Sequence, residues 1–280
     1  MAMAKNITGI IGFPLSHTMS PAMHNNSFKK FSMDWEYDVF EMEADKVGAF
    51  MDRMRDEGIR GINVTIPHKH LVMQFLDKID KAAAIIGAVN TVVNRNGKLT
   101  GYNTDYLGFL SSLKKNRVGL KGKKLVMFGA GGAAHAIAYA LNTFGPKEFR
   151  IYNIDLPMTQ RLIKQLRLKN VITGDITKSA DKDAAIAAAD FVINCTSVGM
   201  HGDETPYRID ALKKGAVVFD LIYNPAKTFF LGNAEKKGAK IINGLDMLIF
   251  QGIEAFELWT KKRPSYVLVK KAVDKYNAEK

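Results

Sequence analysis

Between Lys124 and Phe144 the chain runs from a short apolar stretch, Lys124-Leu125-Val126-Met127-Phe128, directly into Gly129-Ala130-Gly131-Gly132-Ala133-Ala134. An Ala-rich, helix-favouring segment follows, His135 to Phe144, and Gly145-Pro146 stops it. A glycine turn held between a strand and a helix leaves few folds open. In Gly129-x-Gly131-x-x-Ala134 the first glycine permits the tight turn, the second lets backbone N–H groups approach a pyrophosphate, and the small third residue lets helix and strand pack closely. The helix N-terminus then presents its unpaired N–H groups and positive dipole end to the anion. Downstream, Phe149–Asn153 reads as a second strand. Short apolar runs recur at Val171-Ile172, Phe191–Ile193, Ala216–Phe219 and Ile241-Ile242, with helix-like Met158–Leu168 and Ala180–Ala189 between them. This alternation predicts an α/β domain with a doubly wound parallel sheet over residues 111–244 that binds a nicotinamide dinucleotide.

The end of the second strand bears on which dinucleotide. A ribose 2′-hydroxyl calls for a carboxylate there, a 2′-phosphate for Arg or Lys. The sequence is Asn153-Ile154-Asp155-Leu156-Pro157, with Asp155 in place of the acid, no arginine beside it, and Arg161 one or two turns on. These residues lean toward NAD over NADP; the other reading of Asp155 is an N-cap for the following helix.

Residues 1–110 alternate as well. Candidate strands are Ile7–Gly12, Trp35–Phe40, Gly61–Thr65, Asn90–Asn94 and Lys98–Tyr102, the last two flanking a hairpin signal at Asn96-Gly97. Helices are predicted over Ala22–Phe31, Val47–Glu57 and His70–Ile79. The segment 245–280 reads as mostly helical and is expected to return to this first domain.

Composition narrows the class. Of 280 residues 47% are hydrophobic and 24% charged, which excludes a disordered chain. No apolar run approaches the roughly 18 residues of a membrane span, and the start, Met1 to Ile7, lacks the apolar core of a secretory signal. The single cysteine, Cys195, precludes an internal disulfide, and no Cys/His set has zinc spacing; a reducing cytoplasm fits. Cys195 is expected to be a small buried side chain, and Trp35 and Trp259 to be packing residues. The pairs His17/His24 and His68/His70 match no metal-ligand motif, so no metal is expected, and His68 and His70 are assigned to a solvated helix start. Forty Lys and Arg against 28 Asp and Glu leave a charge of +12. The basic residues are scattered in short clusters such as Lys121, Lys123 and Lys124. They predict a solvated surface that attracts small anions, with neither nucleic acid nor membrane as partner.

Four polar segments fall where strands end: Gly12–Pro21, Asn63–Lys69, Gly87–Thr91 and Gly101–Asp105. Their hydroxyls, amides, one lysine and one carboxylate suit a small polyhydroxylated acid. Singly, each has a plainer reading: Ser20 as an N-cap before Pro21, Thr65 as a strand residue, Asn90 as a turn residue, Lys69 and Asp105 as surface charges. Together, in order, GFPLSHTMSPAMHN, NVTIPHK, GAVNT, GYNTD, GAGGAA, INCTSVGM, DLIYNP and NGLDMLIFQG resemble the shikimate dehydrogenase family, over most of the chain.

The resemblance implies an N-terminal α/β substrate domain, a Rossmann-type cofactor domain and C-terminal helices packing back. It implies reversible NAD(P)H-dependent reduction of 3-dehydroshikimate to shikimate in chorismate and aromatic amino-acid biosynthesis, by a cytoplasmic monomer or homodimer. Lys69 and Asp105 would be the catalytic pair. Thr18, Ser20, Thr65, Asn90, Asp105, Tyr223 and Gln251 would hold the substrate. Gly129, Ala130, Gly131, Gly132, Ala133, Asn153, Thr196, Met200, Leu221 and Gly244 would line the cofactor, with Asp155 beside them. Four positions depart from the family pattern: Thr18 where serine is usual, Tyr106 for glycine, His135 for arginine, and Asn153-Ile154-Asp155 for the phosphate-gripping Asn-Arg-Thr/Ser. The last leaves NADP and NAD both open and admits an NAD-dependent quinate/shikimate dehydrogenase as the alternative. A non-catalytic nucleotide-binding protein is the alternative of another class, which the presence of both Lys69 and Asp105 disfavours. Chemically, an ammonium at Lys69 would stabilise a developing alkoxide and give it a proton, with Asp105 orienting the ammonium.

Overall fold

A computed structural model of the chain describes residues 5–16 and 18–279. The readings made of the first four residues and of His17 lie outside this range. The chain divides into two compact units, Met1–Gly108 with Ile249–Lys280, and Phe109–Leu248.

The first unit begins β1 (Asn6–Gly12), α1 (Ser20–Lys30), β2 (Trp35–Glu41), α2 (Val47–Asp56) and β3 (Gly61–Val64). It continues β4 (Lys78–Ile79), α3 (Lys81–Ile86), β5 (Thr91–Arg95), β6 (Lys98–Tyr102) and the start of α4 (Asp105–Lys115). Its sheet has the order β2-β1-β3-β5-β6-β4. Strands β1, β2 and β3 run parallel, whereas β5 is antiparallel to both β3 and β6. Asn96 and Gly97 both take positive φ at the β5–β6 turn, the backbone that a two-residue hairpin needs.

The helix predicted over His70–Ile79 does not form. Only a 3₁₀ turn, Leu71–Phe75, appears, and then β4 pairs with β6 at the sheet edge. The Asp77 N–H donates to the Leu99 carbonyl and the Asp77 carboxylate receives the Leu99 N–H. These bonds draw the chain onto the sheet, and Leu76 and Ile79 pack on the core from there.

Both sheet faces are covered. Ile11, Ile62, Val64 and Val92 pack under Val47, Phe50 and Met54 of α2. Ile10, Tyr37 and Val93 pack under Phe28 of α1 and under Phe256 and Trp259 of the C-terminal segment. The Trp259 indole donates to the Val92 carbonyl at 3.0 Å and lies over Gly61, where a Cβ would come within 2.1 Å of the indole nitrogen. Glycine at 61 is what lets the ring reach the backbone.

The second unit comprises the rest of α4, then β7 (Lys124–Phe128), α5 (Gly132–Asn142), β8 (Glu148–Asn153), α6 (Leu156–Leu166) and β9 (Val171–Asp175). Next come α7 (Lys182–Ala187), β10 (Phe191–Asn194), β11 (Val217–Asp220), α8 (Phe229–Lys236), β12 (Lys240–Ile242) and the start of α9 (Leu245–Thr260). Helix α10 (Tyr266–Ala278) belongs to the first unit. The sheet order is β12-β11-β10-β7-β8-β9, with every pair parallel. Strand order reverses between β7 and β10, the switch point at which open α/β sheets take ligands. Helices on both faces explain why β10 is buried along its whole length. No helix among the described residues is long and apolar enough to cross a membrane.

Candidate active site

Lys69 leaves β3 through a turn closed by the His68 N–H on the Thr65 carbonyl at 2.9 Å. Asp105 opens α4, where the helix dipole favours a carboxylate. The Lys69 ammonium donates to Asp105 Oδ2 at 2.7 Å, with side-chain exposures of 14% and 11%. A charge-assisted bond so far withdrawn from water is a positioned pair, unlike the solvated surface pairs found elsewhere on the chain. The other carboxylate oxygen receives the Asn90 amide at 2.8 Å. The Asn90 side-chain oxygen Oδ1 in turn accepts the Thr104 N–H at 2.7 Å and the Thr91 hydroxyl at 3.1 Å. Thr104 reaches Gln251 at 3.5 Å. Lys69, Asp105, Asn90 and Gln251, far apart in sequence, thus share one hydrogen-bonded cluster.

Thr18 and Ser20 stand at the start of α1. Met19 is the residue at the cap and makes no side-chain cap bond, so Ser20 is the first helical residue and its hydroxyl is not spent on capping. The Ser20 N–H donates to the Thr18 hydroxyl at 3.3 Å. The first turn carries no acid and the last carries Lys29 and Lys30, leaving the N-terminal end attractive to an anion. Thr65 is half-buried in the turn before Lys69, its methyl against Gly12. Tyr223 belongs to the second unit.

His68 is a correction. It is fully buried, its Nε2 against the Met42 carbonyl at 2.8 Å, and it is no part of a solvated helix start. No helix forms there to expose it, and the turn that points Lys69 toward Asp105 points His68 into the core. His70 is exposed, as expected. Four buried polar residues that sequence reasoning did not single out join the cluster: Tyr37, Asn63, Thr91 and Thr104. Asn63, Thr91 and Thr104 lie in the polar segments at strand ends, whereas Tyr37 carries no such signal.

In the second unit Gly129 has φ +93°, and a Cβ there would lie 2.8 Å from the Thr196 methyl and 3.2 Å from the Cys195 carbonyl carbon. Gly131 caps α5 without a side-chain bond, and an added Cβ would meet nothing within 4 Å. The first turn of α5 holds no acid. Open backbone N–H groups with clear space before them fit the pyrophosphate of a dinucleotide. Ala130, Gly132 and Ala133 complete this turn, Ala130 buried and the other two half-buried.

At the end of β8 the Asn153 amide donates to the Asp155 carbonyl at 2.9 Å, and Asp155 Oδ1 accepts the Met158 N–H at 2.7 Å as the N-cap of α6. Ile154 is 75% exposed. The loop after β10 is pinned by Asn194, which receives the Thr196 N–H and hydroxyl at 2.9 and 2.7 Å and donates to Asp220 at 3.0 Å. Asp220 is fully buried, also accepts Thr228 at 2.6 Å, and burial pushes its carboxyl above the usual range. Leu221 and Gly244 touch: a Cβ on Gly244 would fall 1.9 Å from the Leu221 carbonyl oxygen. Met200 follows Gly199 (φ +98°) and is 42% exposed, a free apolar surface at the loop tip. Cys195 is buried, and burial pushes its thiol up, away from reactivity. Among the described residues no group of three or more His, Cys, Asp or Glu is placed to hold a metal ion.

Comparison with known proteins bears on both units. Residues 10–92 match the family model for the shikimate dehydrogenase substrate binding domain, and 244–273 that for the shikimate 5′-dehydrogenase C-terminal domain. A shikimate dehydrogenase (NADP(+)) of Bacillus cereus (strain G9842) is 41% identical over 273 residues, 96% of this chain and 98% of that protein. A Listeria monocytogenes shikimate 5-dehydrogenase, solved with shikimate and NAD, is 34% identical with a TM-score of 0.89, covering 95% of this chain and 96% of that one. A quinate dehydrogenase of Corynebacterium glutamicum, solved with NAD, is 30% identical with a TM-score of 0.88, covering 98% and 99%.

Proposed function

The chain belongs to the shikimate dehydrogenase family, and from that premise we propose that it interconverts 3-dehydroshikimate and shikimate with a nicotinamide cofactor, Lys69 and Asp105 being the catalytic pair. The observation that carries this reading is the withdrawn Lys69–Asp105 bond, held from behind by Asn90.

The bound cofactor supplies hydride to the ketone carbon in one direction and removes it in the other. The Lys69 ammonium offsets charge developing on the ketone oxygen and gives up its proton there. Asp105 aims the ammonium and, being tied to Asn90, does not swing with it. In the reverse direction the same amine takes the hydroxyl proton. Thr18 and Ser20, at the positive end of α1, suit the substrate carboxylate. Thr65, Asn90, Asp105, Gln251 and Tyr223 suit the ring hydroxyls, and a site built from such partners rejects acids that lack them.

The turn from Gly129 to Ala133, with Asn153, Asp155, Thr196, Met200, Leu221 and Gly244, would hold the cofactor. We infer a preference for NAD. Asp155 sets a carboxylate at the N-terminus of α6, where it would repel a 2′-phosphate, and Ile154 offers no compensating cation. The Thr18 methyl narrows the carboxylate end relative to serine, which favours shikimate over quinate with its extra hydroxyl. A single buried thiol suits a reducing cytoplasm. Steady-state assays with shikimate and quinate, each with NAD and NADP, test these assignments. Highest kcat/KM is expected for shikimate with NAD. A preference for NADP would overturn the cofactor assignment, a preference for quinate the substrate one, and no turnover of either acid the reaction itself.

A further inference from the structure

Asn103 lies in the turn between β6 and α4, two residues ahead of Asp105, and is 3% exposed. A carboxamide so buried has to find partners for its oxygen and its nitrogen alike. Oδ1 accepts the Asp105 N–H at 3.1 Å and the Tyr106 N–H at 3.4 Å, two of the unpaired donors that open a helix. Thr104, immediately before the helix, has its hydroxyl engaged by Asn90 and Gln251 instead. Nδ2 of Asn103 donates to the Ala88 carbonyl at 3.0 Å. That carbonyl belongs to the Ala88–Val89 peptide group, whose N–H donates to the backbone carbonyl of Lys69 at 2.9 Å. Ala88 and Val89 are fully buried. Two planar amides in series, one peptide group and one carboxamide, therefore join the backbone of Lys69 to the backbone of Asp105. The side chains of the same two residues meet at 2.7 Å and close the ring.

We propose that Asn103 is a positioning residue for the Lys69–Asp105 pair: its carboxamide ties the Ala88–Val89 peptide to the first turn of α4 and so sets where ammonium and carboxylate meet. This rests on the assignment of that pair as catalytic made above. A lysine has a flexible four-carbon stem and can follow a displaced carboxylate, leaving the place from which it serves the ketone oxygen. The bridge removes that freedom at the root of both side chains. Asn90 does not depend on it, because its N–H is held by the Tyr102 carbonyl at 3.0 Å and its Oδ1 by the Thr104 N–H. Loss of the Asn103 amide thus falls on the reacting pair and spares the groups that bind substrate. Capping alone does not call for asparagine here. A serine hydroxyl accepts the same N–H groups, but it is one atom shorter and falls short of Ala88.

The test is Asn103→Ser, compared with Asp105→Ala and the double variant, in steady-state assays with shikimate and the better of NAD and NADP. Asp105→Ala leaves the backbone N–H, and with it the bridge, in place. Small misplacement of reacting groups is costly, so kcat should fall at least about fivefold in Asn103→Ser. The KM values for shikimate and cofactor should change less than about threefold. In the Asp105→Ala background the same substitution should lower kcat by less than about twofold, since no pair is left to set. A merely structural loss behaves otherwise: a smaller folded fraction lowers kcat by the same factor in both backgrounds. Equal factors in the two backgrounds, or a smaller fall in Asn103→Ser alone, would overturn the proposal. If Asp105→Ala leaves kcat unchanged, the assignment of the pair fails, and the role of Asn103 with it. Asn103→Asp keeps the acceptor for both N–H groups and replaces the donor facing Ala88 by a second oxygen. It should show the same fall and the same dependence on background even if Asn103→Ser folds poorly, and a parent-like kcat would count against the bridge just as firmly.

Discussion

Among single side chains, Lys69 stands apart because its pair with Asp105 is the least exposed of the ion pairs among the described residues. Removing the ammonium leaves the substrate-binding hydroxyls in place. Lys69→Ala is therefore expected to cut kcat by about 10²–10⁴ with a much smaller change in the shikimate KM, read from steady-state kinetics. Lys69→Arg should restore little, since a guanidinium cannot surrender its proton near neutral pH. On the cofactor side the position proposed to discriminate is short and local. Replacing Ile154 by Arg and Asp155 by Ser removes the carboxylate and adds a fork of donors. The ratio of kcat/KM for NADP over NAD should rise by at least tenfold, and an unchanged ratio would show that neither residue reads the ribose. Lys69, Asp105 and the Gly129–Ala133 turn were all legible in the sequence, because a strand-turn-helix glycine pattern is local and the polar segments fall at strand ends. Tyr37 was not: nothing in Trp35–Glu41 says that its third residue donates to the side chain of Asn63.

At the level of elements, Asp155 caps α6 besides the cofactor role proposed for it. Asp155→Ala should therefore lower stability by about 1 kcal/mol in denaturant unfolding, whereas Asp155→Ser keeps a capping oxygen and should cost only a few tenths. That contrast separates the helix role from the cofactor role. Gly244 is constrained more severely. The neighbour its missing Cβ would strike is the Leu221 backbone, which cannot rotate aside. Gly244→Ala should destabilise the second unit by about 1–3 kcal/mol and raise the cofactor KM, as the β11 loop shifts. The His70–Ile79 segment is the instructive failure. Its apolar spacing fits a helix, but Asp77 binds the Leu99 backbone, and pairing with β6 outbids helix propensity that was weak to begin with.

For the molecule as a whole, acid sensitivity has a source besides carboxylates. His24 is fully enclosed by Tyr37, Phe256 and Trp259, and burial pulls its imidazole down to about 3 from an ordinary 6.5. The folded chain holds His24 neutral, while the unfolded chain takes up a proton as the pH falls below about 6.5. Acidification thus favours unfolding, by about 1.4 kcal/mol per pH unit between those two values. Urea melts at pH 6, 5 and 4 should record that slope, and His24→Asn, which cannot titrate, should flatten it over the same range. The charge of +12 acts at longer range. It attracts an anionic substrate and an anionic cofactor alike, with an effect that salt screens.

The sequence by itself determined the two α/β folding patterns, the glycine cradle for a dinucleotide and the residue types available for ketone reduction. Each of these is written in local order: periodicity, turn chemistry, or a motif a few residues long. Only the tertiary structure decided which polar groups meet, since Lys69 with Asp105, Tyr37 with Asn63 and Thr104 with Gln251 are contacts between residues distant in the chain. It also decided that His68 is buried and that β4 replaces a helix, because burial and edge pairing are set by neighbours distant in the chain, and their energies exceed the local preferences a sequence displays.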